Sequence, residues 1–507
     1  MNILVLLLVA GRVLYFNIMV LSLKRLAGDT VIYGVTTMIG RLFNWFLMPF
    51  YIRVISQDEY GAVNHIYGII TILLVIFTFG LETGFFRFAR SENKNVVYGT
   101  TIAMLLFTSM LLVVLSFGFS EGISNYFYNG KYRDAVVLMG LIVAIDSLVS
   151  IPFAKLRLDN RPIFFGVIKI ASIFCNILFN ILFLVFIPFL IAKFNFSNKF
   201  TIIYESLDGV FFILLSNLLS SILTLLIFLP DILRTKGSFS AKILKSMMIY
   251  SWPVLVVGIT GMITQNAEKI LMPKLISENG FTELAIYGAN FKIGILMSLF
   301  TQSFRFAFEP FFFNNRDKGI ESYAKVMEYF IGFGLLILLG ICFSMDLVNS
   351  FILTSAYYRG NLIIPYVLLG LLFYGIYFNL SLWYKLSDKT YFGAFFGFIG
   401  MIITVGLDFI LIGKIGMLGG AIALLCGYSV MMVVSYLVGQ RHYRVPYNVK
   451  RIALYFFVAG SIYVVYQFVS FESLFFNYAF KVLLIASYVL FFLLSNGFKL
   501  KRTNVKG

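Results

Sequence analysis

The sequence predicts an all-α integral membrane protein of about fourteen transmembrane helices, and three observations predict it. The chain is 60% hydrophobic and only 12% charged over 507 residues, whereas a soluble domain is about 45–50% apolar and about 25% charged. Apolar runs of about 20 residues, the length that crosses a bilayer as a helix, recur from Thr30 to the C-terminus. Lysine and arginine collect on alternate connections between those runs, which is how cytoplasmic loops are marked. There is too little polar surface to cover so large a core, so lipid must be the solvent for much of the exterior. The 58 Phe and 30 Tyr suit lipid-facing surfaces and interfacial belts.

The expected spans, in order, are Thr30–Ile52, Ala62–Gly84, Val97–Phe119, Asp134–Leu156, Ile163–Ile187 and Asp208–Pro230. Then come Met248–Met272, Leu284–Phe312, Tyr323–Met345, Ile363–Leu386, Tyr391–Ile412 and Met417–Gln440, and finally Ile452–Ser470 and Asn477–Gly497. With Lys24 and Arg25 inside, the even-numbered connections hold Arg87, Arg90 and Lys94, then Lys155, Arg157 and Arg161, then Arg234, Lys236, Lys242 and Lys245. They continue with Arg316 and Lys318, Lys385 and Lys389, and Arg441, Arg444, Lys450 and Arg451, and the tail adds Lys499, Lys501, Arg502 and Lys506. Roughly 25 basic residues fall on that side and about 8 on the other, so both termini are expected to be cytoplasmic. The formal charge of +17 is thus topological, and no nucleic-acid partner is expected. Met1–Val20 is apolar without a basic n-region and makes a poor signal peptide. It reads as an upstream extension with Met19 as the start; the alternative is a fifteenth span with the N-terminus outside.

The two halves echo each other. Leu47-Met48-Pro49, Ile66-Tyr67-Gly68 and Phe86-Arg87-Phe88-Ala89 recur in order as Leu271-Met272-Pro273, Ile286-Tyr287-Gly288 and Phe304-Arg305-Phe306-Ala307. The connections 157–162 and 385–390 are both short and basic. Six helices followed by six in the same orientation make a parallel repeat about an axis along the membrane normal. The expected organisation is an apolar extension over 1–22, a first lobe over 23–235, a second lobe over 236–446, and two further helices with a basic tail over 447–507.

Cys175, Cys342 and Cys426 all lie inside apolar runs, which argues against a disulfide framework. The histidines are His65 and His442, and no zinc constellation, HExxH helix, nucleophile elbow or phosphate loop is present. No metal and no cofactor is expected. A membrane polymerase or acyltransferase is disfavoured because the longest outer connection, Pro188–Leu207, is short and lacks histidine.

Function therefore rests on ionisable residues inside the spans, each of which costs several kcal/mol if it faces lipid. The cations Arg41, Lys169, Lys269, Lys292 and Arg305 are the candidates for lining a polar cavity, with Asn44 and Asn266 beside them. The acids Glu82, Asp146, Glu268, Glu309 and Asp408 are the candidates for ion coupling or for pairing with nearby arginines. Several cations at membrane depth suit an anionic substrate, because Lys and Arg bind phosphate oxygens directly and more strongly when desolvated. Lys481, near the outer end of the last span, reads as a snorkelling lysine.

These residues resemble the polysaccharide transporter branch of the multidrug/oligosaccharidyl-lipid/polysaccharide exporter superfamily. Asp29-Thr30, Tyr33, Gly40-Arg41, Asn44 and Pro49 look like its first helix, and Asp58-Glu59-Tyr60-Gly61 like its first outer loop. Asn266-Ala267-Glu268-Lys269 resembles its Asn-x-x-Asp-Arg pattern with both charged residues replaced by close relatives, and Tyr287 to Lys292 with Ala307-Phe308-Glu309-Pro310 resembles its eighth helix. Leu407-Asp408 through Gly416-Met417-Leu418-Gly419-Gly420-Ala421 resembles a further passage, with Asp for Asn. The resemblance implies two six-helix lobes around a central cavity, alternating access, and a lipid-linked oligosaccharide substrate flipped across a bacterial cytoplasmic membrane. The final two helices would line a groove for the lipid tail, and pathway glycosyltransferases and a polymerase would be partners. A lipid II flippase or a multidrug antiporter of the same superfamily is the alternative.

Overall fold

A computed structural model describes residues 34, 36–194, 198–235, 238–314, 321–381, 383–384, 389, 391–469 and 471–497. The apolar extension, Lys24 and Arg25, most of the connection 385–390 and the basic tail lie outside them, as do the side chains of residues 306–314, Glu309 among them. The described residues are helical throughout and contain no strand.

The elements are α1 (residues 36–54), α2 (Gln57–Thr78), α3 (Leu81–Ser91), α4 (Lys94–Tyr128), α5 (Arg133–Leu158) and α6 (Pro162–Ile181). A π-turn over Leu182–Phe186 leads into α7 (Ile187–Phe194), then α8 (Asn198–Glu205), α9 (Gly209–Arg234), α10 (Ala241–Leu275), α11 (Gly280–Ile293), α12 (Ile295–Asn314), α13 (Glu321–Phe343) and α14 (Met345–Phe351). A 3-10 stretch, Ser355–Ile363, precedes α15 (Ile364–Leu380), α16 (Tyr391–Ile415), α17 (Met417–His442), α18 (Val449–Phe468) and α19 (Leu474–Ser495). Among the described residues twelve helical stretches are long and apolar enough to cross a membrane, and the bent pair α11–α12 makes a thirteenth. α1 occupies the described part of the first expected span.

The ends differ from expectation where polar residues carry a helix beyond the lipid. α4 runs for 35 residues, about 52 Å at 1.5 Å per residue against a hydrocarbon core of about 30 Å. It starts where the Asn93 side chain accepts from the backbone N–H groups of Asn95 and Val96, and it stops at Asn129 with a left-handed φ of 54°. α2 begins at Gln57, inside what reads as an outer loop. Ser56 and Glu59 form a capping box there, the Ser56 N–H and hydroxyl both donating to Glu59 Oε2 at 2.9 and 2.8 Å. Two spans are interrupted. α2 and α3 are separated by Phe79 and Gly80, both with positive φ, and α11 and α12 are bent by 40° at Gly294. Both interruptions lie C-terminal to the repeated Ile-Tyr-Gly triplets.

The chain divides into two compact units. Unit 1 comprises Met1–Leu47 and Ile70–Leu255; unit 2 comprises Met48–Ile69 and Val256–Gly507. These limits fall elsewhere than the expected 235/236 boundary: Met48–Ile69 groups with the second unit, and α10 is shared between the two.

Unit 1 packs α4 on α5 and α5 on α9. Leu81, Phe85, Tyr98, Leu105, Ile151 and Met247 form one buried cluster, and Phe153, Phe165, Ile168 and Phe228 form another. Small residues allow the close α4–α5 approach. Ser109 donates to Ala144 O at 2.8 Å, and a Cβ on Gly140 would come within 1.7 Å of Ser116 Oγ.

Unit 2 packs α16 on α17 and α15 on α17. A Cβ on Gly427 would lie 1.9 Å from Thr404 Oγ1, so only glycine permits that crossing. The last two helices belong to this unit. Tyr488 donates to Gly332 O at 3.1 Å, and Arg451 pairs with Glu328 at 2.9 Å. Lys481, expected to snorkel, is 4% exposed and paired with Asp346 of α14, whose half-exposed carboxylate supplies its counter-charge. Met48–Ile69 is tied in by Arg53, which donates to Ile352 O at 3.0 Å and Phe351 O at 3.1 Å, and by Gln57, which donates to Ala356 O at 3.1 Å. All three cysteines are free thiols.

Candidate functional site

In unit 1 the candidate residues occupy three places. Arg41 and Asn44 lie on the exposed side of α1, behind Gly40, whose Cα faces Ile173 of α6. Asp146 on α5 accepts from the Ser221 hydroxyl of α9 at 2.7 Å. Lys169 on α6 lies within electrostatic reach of Asp146 and carries its ammonium 5.0 Å from the Phe153 ring centroid. Ser172 and Ser220 continue the same polar seam, their hydroxyls 3.0 Å apart. Glu82 stands apart from this seam. It pairs with Arg157, whose guanidinium also lies over Phe86 and Phe165 at 5.2 and 5.9 Å. Two further pairs complete this end of the unit: Lys94 with Asp159, and Lys155 with Asp231 at 2.6 Å, where Tyr98 also donates to Asp231 at 2.9 Å. Each basic side chain of the three is matched by an acid on another element, which ties α3, α4 and α9 to α5.

In unit 2 the candidates converge. Asn266, Glu268 and Lys269 share α10. Lys269 Nζ donates to Asn266 Oδ1 at 2.9 Å and lies 4.8 Å from the Phe291 ring centroid of α11. Gly68 of α2 faces it; a Cβ there would be 3.3 Å from Lys269 Cβ. Lys292, two residues before the α11 C-cap Gly294, lies within electrostatic reach of Lys269 and 5.6 Å from the Tyr60 ring centroid. Its place at the end of a half-helix suits a cation, because the last carbonyls of a helix carry partial negative charge. Arg305 lies on α12, its guanidinium 5.0 Å from the Phe378 ring centroid.

Glu268 and Asp408 form the centre of this cluster. Both are fully buried; the Tyr287 hydroxyl of α11 approaches Glu268 as a weak donor, and neither Asp408 oxygen has a hydrogen-bond partner among the described residues. Asp408 feels the charge of Glu268, and Tyr287 feels both acids. The glycine-rich start of α17 explains how α10, α16 and α17 come this close. A Cβ on Gly419 would lie 2.6 Å from Leu411 C, and one on Gly420 would lie 3.0 Å from Glu268 Cβ. Two ionised carboxylates in such a place repel each other and each costs several kcal/mol in lost hydration. The site therefore calls for positive charge, and Lys269, adjacent in sequence and within electrostatic reach of Glu268, supplies one.

Sequence reasoning missed the aromatic members of this cluster: Tyr60, Tyr287, Phe291 and Tyr428, the last stacked on Tyr374 at 4.6 Å. The signal for Tyr287 was its place inside the repeated Ile-Tyr-Gly triplet, and for Tyr60 and Phe291 the segments Asp58 to Gly61 and Tyr287 to Lys292 that carry the family resemblance.

No curated relative matches the chain in sequence. Among solved structures, a lipid II flippase, MurJ, in an inward closed conformation, is similar over 92% of this chain and 99% of its own, with 17% identity and a TM-score of 0.72. An inward-facing multidrug resistance transporter of the MATE family, in the MOP superfamily, is similar over 80% of this chain and 97% of its own, with 14% identity and a TM-score of 0.56. The Vibrio cholerae MATE transporter VcmN covers 83% of this chain and 98% of its own, with 13% identity and a TM-score of 0.57. The fold is therefore that of these membrane transporters. The sequence itself matches the family described as polysaccharide biosynthesis protein over residues 51–360, more than half of its length, and the chain belongs to that family.

Proposed function

We propose that this protein is a flippase that moves a polyprenyl-pyrophosphate-linked oligosaccharide, an O-antigen, capsule or exopolysaccharide repeat unit, from the cytoplasmic to the outer leaflet by alternating access. The observation that carries the reading is the pair Lys269 and Lys292 set beside an interrupted span at membrane depth in a polysaccharide biosynthesis family member. Lysines there serve an anionic head group, and the protein acts as a transporter and not as an enzyme. Arg41, Lys169 and Arg305 are the further cations assigned to substrate, with Asn44 and Asn266 as polar lining. Glu268 and Asp408 are assigned to ion coupling, with Asp146 as a second acid in unit 1; Glu309 keeps that assignment from its sequence position alone. The membrane is the bacterial cytoplasmic one, with both termini cytoplasmic, and the pathway's glycosyltransferases and polymerase are the expected partners. An anionic head group leaving a negative-inside cytoplasm moves downhill by about 2.3 kcal/mol per charge per 100 mV.

A second reading, lipid II flippase, is favoured by one observation: the likeness to MurJ spans 92% of this chain. Deleting the gene and analysing the membrane lipids separates the two. Accumulation of a lipid-linked glycan other than lipid II, with cell-wall synthesis intact, supports the first reading. Rescue of a strain depleted of its lipid II flippase would replace it with the second.

A further inference from the structure

Arg451 at the start of α18 is held by Glu328. The other cations around the α17–α18 connection are not matched in this way. Arg441, Arg444 and Lys450 are exposed and have no acid partner among the described residues. They sit on a short and well-fixed piece of chain. Gln440 donates from its side chain to Val445 O at 2.9 Å, and the Asn448 side chain accepts from the Arg451 N–H at 3.1 Å. Val445 is buried against Tyr323 and Ala324 of α13. The rings of Tyr436 on α17 and Tyr447 are 6.1 Å apart between centroids, so the end of α17 and the start of α18 are neighbours. His442 is stacked on Trp383, with centroids 5.3 Å apart and planes 18° apart.

The helix faces behind these cations decide what they meet. Val433, Leu437 and Arg441 follow one another at i, i+4 and i+8 on α17, and Lys450, Leu454 and Phe457 at i, i+4 and i+7 on α18. All four apolar members are exposed. On helices long and apolar enough to cross a membrane, such faces stand against hydrocarbon. Each stripe therefore ends in a cation where acyl chains give way to phosphate, and Arg444 lies between the two in the connection. Trp383, Tyr443 and Tyr447 add the aromatic residues typical of that level. A soluble acidic partner would meet the cations and leave both apolar stripes unused. We propose that Arg441, Arg444 and Lys450 form a binding site for the phosphate of an anionic phospholipid of the surrounding bilayer, whose acyl chains lie along the two stripes. The site shares no residue with the substrate site assigned above.

The intact protein in a neutral detergent is titrated with dioleoyl phosphatidylglycerol or dioleoyl phosphatidylethanolamine, and bound lipid is counted by native mass spectrometry. Phosphatidylglycerol should bind in preference to phosphatidylethanolamine. The triple variant Arg441→Gln, Arg444→Gln, Lys450→Gln should bind it roughly a hundredfold more weakly, the scale of three basic residues near an anionic surface. Arg441→Lys, Arg444→Lys, which keeps the charge, should retain most of the affinity. Arg90→Gln, Arg161→Gln, Lys242→Gln removes the same charge from unit 1, where these three cations are also exposed and without an acid partner among the described residues; it should bind phosphatidylglycerol as the wild type does. If the triple variant does not elute as one species, the single Gln variants replace it, each expected to lose roughly fivefold. No preference for phosphatidylglycerol in the wild type, or equal weakening in the triple variant and the unit 1 control, would overturn the site. Displacement of phosphatidylglycerol by undecaprenyl phosphate at equal concentration would overturn it too, and would assign the three cations to the transported lipid instead.

Discussion

The acids of unit 1 and the pair at the centre of unit 2 are held in opposite ways, while Glu328 and Asp346 elsewhere in unit 2 carry partners as the acids of unit 1 do. At the basic end of unit 1, Glu82, Asp159 and Asp231 each hold a cation on a neighbouring element, and deeper in the unit Asp146 accepts from Ser221. In unit 2, Glu268 and Asp408 are more deeply buried, yet Glu268 has only the Tyr287 hydroxyl as a weak donor and the Asp408 oxygens have none among the described residues. A fold that needed those acids for stability would have matched them as unit 1 matches its own. Charge kept in the membrane interior without donors is costly to the fold and is retained for work. On the transport reading proposed above, the matched pairs of unit 1 are architecture and the pair in unit 2 is machinery.

That contrast can be broken most forcefully at the acids themselves. The double variant Glu268→Gln, Asp408→Asn should reduce transport by roughly a hundredfold, the upper scale of a coupling free energy. Its thermal unfolding temperature should be unchanged or higher, because unsolvated carboxylates are removed. A large fall in unfolding temperature would assign the pair to structure instead.

The cations come next. Lys269→Ala removes the donor to Asn266 and a charge beside Lys292. Affinity for the lipid-linked substrate should fall ten- to a hundredfold, the effect of about 1.5–3 kcal/mol from one charge-assisted contact. Lys269→Arg should retain most of it if charge dominates. Equal loss in both variants, measured by substrate protection against thermal unfolding, would mean that geometry and not charge is recognised.

The smallest effect should come from unit 1. Arg157 and Glu82 are each about a third or more exposed, at 33% and 41% for their side chains, so water screens the pair. Arg157→Ala should cost roughly 1 kcal/mol of stability with the transport rate per folded molecule unchanged. Adding Glu82→Ala should cost little more, because its partner is already gone. A transport defect in well-folded Arg157→Ala protein would move this pair from architecture into the mechanism.

Twelve or thirteen of the fourteen expected spans are found among the described residues, legible because lipid tolerates little else than long apolar helices, and Lys269, Glu268 and Asp408 were legible as charges inside such runs. What they meet was not. The approach of Glu268 to α17 depends on Gly419 and Gly420, whose lack of a Cβ matters only once α10, α16 and α17 are stacked. The breaks at Phe79-Gly80 and Gly294 were hidden because apolar residues continue through them. The partner of Glu82 and the burial of Lys481 against Asp346 both arise from contacts between elements far apart in sequence.

The most direct test is the flipping rate of purified lipid-linked oligosaccharide in proteoliposomes under an imposed membrane potential and ion gradient, compared between wild type, Glu268→Gln, Asp408→Asn and Arg157→Ala, Glu82→Ala. The account predicts that the unit 2 variant loses nearly all gradient-driven flipping and that the unit 1 variant, corrected for folded protein, keeps it. Wild-type flipping rates in the unit 2 variant would contradict the assignment of the buried acids as the working part of the transporter.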